Sequence, residues 1–470
     1  MKPDRARFAP PRSSAIATFF AGAALALCAV IRIAPPASAS GAVRALGAPA
    51  DSATRVSWTL SNGIRVLAQH VPEATAISIS VAYPGGSDQD PADQPGLALL
   101  LAELQFTAAA GDAPSRTRAE LSSLRPAGAD LHVGRCFTVF TEVASAPQFP
   151  GVLHQVIARV RGTQPDAATL SGALETVALL VNNEYRGSAS RGLYNEITER
   201  GSGVDDAGMA RALALEGVRK LTLAQITPML ANAFRPQDAV ISFTGNLAGI
   251  DLRTLLEHAL EGVPKGTRRP LPPTRPSQGA VATVKWPGLA RPVGGLGVLA
   301  PAVDDSTHPT FFLVALIIGA KANEVWGDPT PPLESEFQFS VVEDPDIVRF
   351  YPPLKTDRPT ADMVGLAFNH TLGDADNLVA SDDLIAKLRA GVGWLLGAPL
   401  TDKQLDRMRV NSTTLILYST QMAERELRGG EPFWKLYRQR LEDAGAPDLV
   451  FWLARFRAPK YQVQLLYLPS

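Results

Sequence analysis

Five prolines crowd the stretch 263–279: Pro264, Pro270, Pro272, Pro273 and Pro276, with Lys265, Arg268 and Arg269 among them. Proline lacks the amide donor that a helix or a sheet ladder needs, so prolines at this density predict an extended, exposed segment. That segment divides the chain into two nearly equal parts, 50–262 and 280–470. Each has the length of a single domain on the rule of roughly 100–200 residues per domain. With 46% hydrophobic and 19% charged residues, both parts have the material for a packed core.

The elements of the first part mix strands and helices. Strand-like residues 55–60 lead through Ser61-Asn62-Gly63 into 64–69, and Asn-Gly between two such runs predicts a hairpin. Residues 76–83 alternate apolar and small polar side chains, the period of a half-buried strand. Thr117-Arg118-Ala119-Glu120 and Thr222-Leu223-Ala224-Gln225 have the capping-box spacing of helix starts. A long helix is expected over 166–185 and a strand over 239–244.

In the second part, 293–300, 335–342, 361–370 and 461–468 read as strands. Residues 308–320 read as a buried helix and 382–396 as an amphipathic one. A third capping box, Thr401-Asp402-Lys403-Gln404, predicts a helix from there to about 427. Strict βαβ alternation is missing, so the expected fold class is α+β: two similar domains, each a mostly antiparallel sheet packed with helices. No internal sequence repeat accompanies that similarity.

The N-terminus bears on the compartment. Lys2, Arg5, Arg7 and Arg12 precede an uncharged run from Ala15 to Ile31, and Ala37-Ser38-Ala39 follows with the small-x-small pattern of a signal-peptidase site. Residues 1–39 therefore read as an export signal and the protein as periplasmic. The alternative is an uncleaved segment anchoring it to the inner membrane. Without 1–39 the chain holds 40 basic and 45 acidic residues. No second long apolar segment follows, so no membrane span is expected after cleavage. A mildly acidic balance excludes a default nucleic-acid binder. Arg425, Arg428, Lys435, Arg438 and Arg440 are interleaved with acids and read as a solvated helix surface. Two cysteines, Cys28 and Cys136, exclude a disulfide framework, and the six histidines include no pair at metal-binding helical spacing. Asn411-Ser412-Thr413 fits a glycosylation sequon but falls within an expected helix, where chance is the better reading.

Several motifs in order resemble one family. They are Leu60-Ser61-Asn62-Gly63-Ile64-Arg65-Val66, then Gly86-Ser87-Asp88-Gln89-Asp90-Pro91, then Gly96-Leu97-Ala98, and late in the first part Leu221-Thr222 and Thr244-Gly245-Asn246. Together with the two-part layout they resemble the insulinase-type (pitrilysin, M16) zinc metallopeptidases and their processing-peptidase relatives. The resemblance implies an inverted zinc motif, His-x-x-Glu-His, directly after Gly-Leu-Ala. Its two imidazoles would bind zinc, its Glu would act as general base on the zinc-bound water, and a Glu from a later helix would complete the ligands.

At that place the chain reads Leu99-Leu100-Leu101-Ala102-Glu103. On the family pattern Leu99 stands for the first His, Ala102 for the catalytic Glu and Glu103 for the second His. Glu175 stands near the distal ligand. Glu103 and Glu175 are vestigial metal candidates that read more simply as a salt-bridged and a surface carboxylate. The leucines read as core packing that fills the site. His132 and Thr138 fall where relatives carry substrate-strand residues, and His132 is the residue that could rescue a metal site. The second part, at Gly319 to Trp326, shows neither the Ser-Arg-Leu element nor the Arg and Tyr pair by which relatives grip the substrate carbonyl.

No catalytic residue and no cofactor are therefore expected. The resemblance implies a non-catalytic partner subunit that pairs with a zinc-bearing M16 subunit in a heterodimer and holds a peptide or unfolded protein. One alternative is a divergent zinc metalloendopeptidase using Glu103, Glu175 and His132. Another is a peptide-binding or scaffold protein with no peptidase partner.

Overall fold

The computed structural model describes residues 54–470 apart from 126–127, 276, 327–336, 341–343, 357 and 374–380. The expected export signal lies outside the described residues. Within them no helix is long and apolar enough to cross a membrane.

Two sheets form. The first contains β1 (Arg55–Thr59), β2 (Arg65–His70), β3 (Ala76–Pro84), β4 (Ala129–Val133), β5 (Phe137–Ser145) and β6 (Val240–Gly245), in the order β1-β2-β6-β3-β5-β4. The second contains β7 (Ala280–Trp286), β8 (Val293–Leu299), β9 (Phe337–Ser340), β10 (Asp344–Phe350) and β11 (Gln462–Pro469), in the order β7-β11-β8-β10-β9. The pattern repeats. β2 runs parallel to β6 and β7 parallel to β11, while every other pairing is antiparallel. Laid over one another, the second sheet matches the first strand for strand, without a counterpart of β1 among the described residues. The similarity expected between the two parts is thus carried by topology.

The β1–β2 hairpin turns at Asn62-Gly63. Asn62 Oδ1 accepts the Ile64 N–H at 3.1 Å. Gly63 has φ +97°, and a Cβ there would lie 2.3 Å from the Gly266 carbonyl oxygen, so only glycine fits.

Each sheet is covered on one face by helices of its own part and on the other by a helix of the opposite part. On the first sheet, the Leu97–Thr107, Phe149–Arg161, Ala167–Arg186 and Leu223–Ala233 helices supply one core. The Ser412–Leu427 helix crosses the other face, where Leu415, Ile416 and Met422 pack on Leu67, Val139 and Val143. On the second sheet, His308–Trp326, Asp362–Leu372, Gly430–Asp443 and Ala446–Phe456 cover one face, and the Ala189–Gly201 helix from the first part covers the other.

Four expectations need correction. Residues 361–370 form a helix, Asp362–Leu372, not a strand. Val364, Phe368 and Leu372 are fully buried at intervals of four, whereas Leu366, which completed the apparent alternation, is 62% exposed. The helix begun at Thr401 stops at Val410. Asn411 then caps a new helix, Ser412–Leu427, its Oδ1 accepting the Thr413 N–H. Finally, 263–279 is irregular but only partly exposed. Arg269 bonds Asp238, Arg268 donates to the Glu426 carbonyl, the Arg275 N–H donates to Asp88 Oδ2, and Leu271 packs against the core under the Ser412–Leu427 helix. Nor is the late basic cluster wholly solvated. Arg425 is buried and donates to the Trp394 and Leu395 carbonyls. The strand expected over 335–342 is seen as Phe337–Ser340, and its ends lie outside the described residues.

Candidate functional site

The motif helix Leu97–Thr107 starts where Gly96 takes φ +90°, and a Cβ on Gly96 would lie 2.7 Å from Leu215 Cδ2. Its first turn is capped from outside. Asp90 Oδ2 accepts the Gly96 N–H and Oδ1 the Ala98 N–H, both at 2.7 Å, a carboxylate placed at the positive end of the helix. Burial pushes the Asp90 carboxyl up to about 7, against the pull of those two N–H groups and of Arg275. The acid of the Gly-Ser-x-x-acid motif is therefore the N-terminal clamp of the helix.

From there the helix is sunk in the first core. Leu100, Ala102 and Leu104 are fully buried and Leu101 nearly so, while Leu99 is half-buried. Where the family pattern requires a general base stands the Ala102 methyl.

Glu103 is 1% exposed, and its Oε2 lies 2.7 Å from Arg118 Nε. Arg118 is the first residue of the Arg118–Leu124 helix, which Thr117 and Glu120 cap reciprocally. Burial raises the Glu103 carboxyl pKa and the Arg118 charge opposes the rise. The cation paired with this carboxylate is thus the chain's own guanidinium.

The other candidates do not converge on Glu103. Glu175 is exposed on the Ala167–Arg186 helix, whose buried side is Leu170, Ala173, Val177 and Val181. His132 lies on the edge strand β4. There Leu131, opposite Phe140, faces the motif-helix core, so Asp130 and His132 face the other side of the sheet. The His132 ring is accordingly 6.0 Å from Phe137, part of the core under the Ser412–Leu427 helix. Thr138 is buried, and its Oγ1 donates to the Gly85 carbonyl at 2.9 Å. Among the described residues no group of three or more His, Cys, Asp and Glu side chains could hold a metal ion. A leucine, an alanine and a carboxylate already bonded to arginine do not fit the zinc that the family pattern implies, so no step through a metal is derived.

β4 offers backbone instead. The Val143 N–H donates to the Gly128 carbonyl and the Gly134 N–H to the Phe137 carbonyl. With the β4–β5 register this turns the N–H and C=O groups of Asp130 and His132 toward β5 and those of Ala129, Leu131 and Val133 outward. β4 is the last strand of its sheet, and the motif helix packs beside it.

Two groups escaped sequence reasoning. Arg118 showed only as part of a capping box, and nothing in its spacing marked it as the partner of Glu103. Arg135, between β4 and β5, bonds Asp88 of the first part, Asp346 of the second and Ser202. A buried arginine facing acids 47 and 211 residues away has no local signature.

No protein-family model and no curated protein sequence matches the chain. Solved structures do. A protease from Helicobacter pylori superposes with TM-score 0.64 at 13% identity, covering 89% of this chain and 100% of that one. A putative M16-like peptidase from Alicyclobacillus acidocaldarius gives 0.61 at 14%, covering 89% and 99%. A peptidase M16 inactive domain from Pseudomonas fluorescens gives 0.57 at 14%, covering 89% and 98%. With the repeated sheet order and the helix placed beside the edge strand, this likeness establishes that the chain has the two-domain α+β fold of the M16 insulinase-like peptidases.

Proposed function

We propose that the protein is a catalytically silent M16-fold subunit, exported to the periplasm, that holds an extended peptide beside a zinc-bearing M16 partner. The observation that carries this reading is the motif helix. Its base position is an alanine and its one carboxylate, Glu103, is paired with Arg118. The fold similarity to a domain described as inactive is consistent with it. A peptide would add as a strand to β4, bonding the outward groups of Ala129, Leu131 and Val133, with His132 at its flank. Main-chain pairing of this kind needs no metal and selects little by sequence. The chain therefore supplies surface, and hydrolysis belongs to the partner.

The test is to purify the chain alone and with a zinc-bearing homologue encoded nearby. The chain alone is expected to carry no tightly bound zinc and to cleave no unfolded peptide, and the pair to co-purify and cleave. Chelator-sensitive peptidase activity of the isolated chain would overturn the reading. Val133→Pro, which removes an outward N–H from β4, is expected to weaken peptide binding with the fold retained.

A further inference from the structure

We propose that a pocket behind the C-terminal end of the motif helix binds a small anion of the carboxylate class, held between Arg116 and Arg159. The pocket is a small hollow open on one side to solvent, lined by Phe106, Thr107, Pro114, Arg116, Gln155 and Arg159 among others. No aspartate or glutamate lines it. Apolar walls with a few convergent polar groups are the usual make-up of a ligand site.

The charge around the pocket is unbalanced. Arg125 Nε lies 2.9 Å from Glu142 Oε2, and Arg159 pairs with Glu142 Oε1, so two guanidiniums share one buried carboxylate. Arg116 adds a third positive charge. It is half-buried, its backbone N–H donates to the Thr107 carbonyl, and its guanidinium has no hydrogen bond or ion pair among the described residues. The acids nearby compensate it only in part: the exposed Glu120 feels the Arg116 charge but lies outside the pocket lining. Glu120 accepts from Thr117 in the capping box, and Asp112, 79% exposed, lies 3.7 Å from His154.

Gln155 Oε1 accepts from Arg125 at 2.5 Å, which leaves its amide N–H groups as donors. Burial above all, with the Arg125 charge acting in the same direction, lowers the Arg159 pKa to about 9. An anion between Arg116 and Arg159 would oppose that shift by adding a second negative charge beside Glu142. Charge-assisted bonds in a partly desolvated pocket are stronger than their surface counterparts. This proposal stands independently of the peptide reading.

The test titrates the full chain with sodium acetate, holding ionic strength constant with sodium chloride, whose monatomic anion lacks the two oxygens that would bridge both guanidiniums, and follows the melting temperature. A saturable rise is expected. Arg116→Gln should weaken binding by about tenfold or more, the worth of one charge-assisted contact. Arg116→Lys should retain part of it, and Arg253→Gln, at an exposed site, all of it. A parallel titration compares a short apolar peptide bearing a free C-terminus with its amidated form. Tighter binding than acetate, lost on amidation, assigns the carboxylate to a peptide; binding no tighter than acetate assigns it to a free anion. Either outcome supports the site. A response that rises without saturating, or an Arg116→Gln chain that saturates like the parent, would overturn it.

Discussion

At the residue scale the deciding pair is Glu103 and Arg118. A carboxylate taken out of water costs several kcal/mol unless an opposite charge and hydrogen bonds compensate. Here one arginine, 14% exposed, compensates a carboxylate that is 1% exposed. Arg118→Met should therefore destabilise the protein by about 3–5 kcal/mol, because it strands the carboxylate, whereas Glu103→Leu with Arg118→Met should recover most of that loss. The pH dependence has a definite sign. Burial already raises the folded pKa of Glu103 above its ordinary 4.5, and losing Arg118 removes the charge opposing that rise. A raised carboxyl pKa means the folded state keeps its proton longer. The Arg118→Met penalty should then be full above the folded pKa and fade as pH falls toward 4.5. Urea unfolding of the three chains at neutral and acidic pH measures this. A penalty no larger than that of an exposed ion pair, roughly 0–1 kcal/mol, would show that Arg118 does not compensate Glu103.

At the element scale the sequence was most legible where local chemistry decides. The three capping boxes at Thr117, Thr222 and Thr401 all open helices, because each closes two hydrogen bonds within four residues. The Asn62-Gly63 hairpin is equally local. Reading failed where two periods fit one string. Val364, Leu366 and Phe368 alternate like a strand, while Val364, Phe368 and Leu372 recur every four like a helix. Which set is buried depends on β8, β11 and the His308–Trp326 helix, none of them adjacent in sequence. The structure separates the two readings energetically. Phe368→Ala should cost about 3–5 kcal/mol through a cavity in the second core. Leu366→Glu, on the exposed face, should stay within about 0.5 kcal/mol of the parent. Thermal unfolding of both variants distinguishes them, and a strand in this place would make the two substitutions comparable. The candidate site divides the same way: a helix directly after Gly96-Leu97-Ala98 was legible from the motif order, but the Arg118 partnership and the Arg135 contacts are tertiary.

At the scale of the whole molecule the proline-rich segment was expected to be extended and exposed and to divide the chain into two parts. The segment is instead strapped down, and the halves exchange helices. Ser412–Leu427 crosses the first sheet, and Ala189–Gly201 crosses the second. The contact is polar at its centre. Ser80 Oγ lies 2.6 Å from Ser419 Oγ and 2.8 Å from Thr141 Oγ1, and the Ser242 hydroxyl donates to the Ser419 carbonyl. Ser80 and Thr141 would keep each other if the halves separated, but Ser242 and Ser419, both buried, find the side-chain partners named here only across the two halves, so separation would break those bonds. Arg135 adds a further tie, bonding Asp88 and Asp346 across the two parts. Residues 50–279 expressed alone should therefore lack a closed second face on their sheet and bind hydrophobic dye or aggregate. Co-expressed with 280–470 they should form a soluble, folded complex. The intact chain should unfold in one transition, because neither half completes its core without the other's helix. Calorimetry of the intact chain together with solubility of the split halves tests this. Two resolved transitions, or a well-folded first half in isolation, would show that the helix exchange is peripheral to the stability of either sheet.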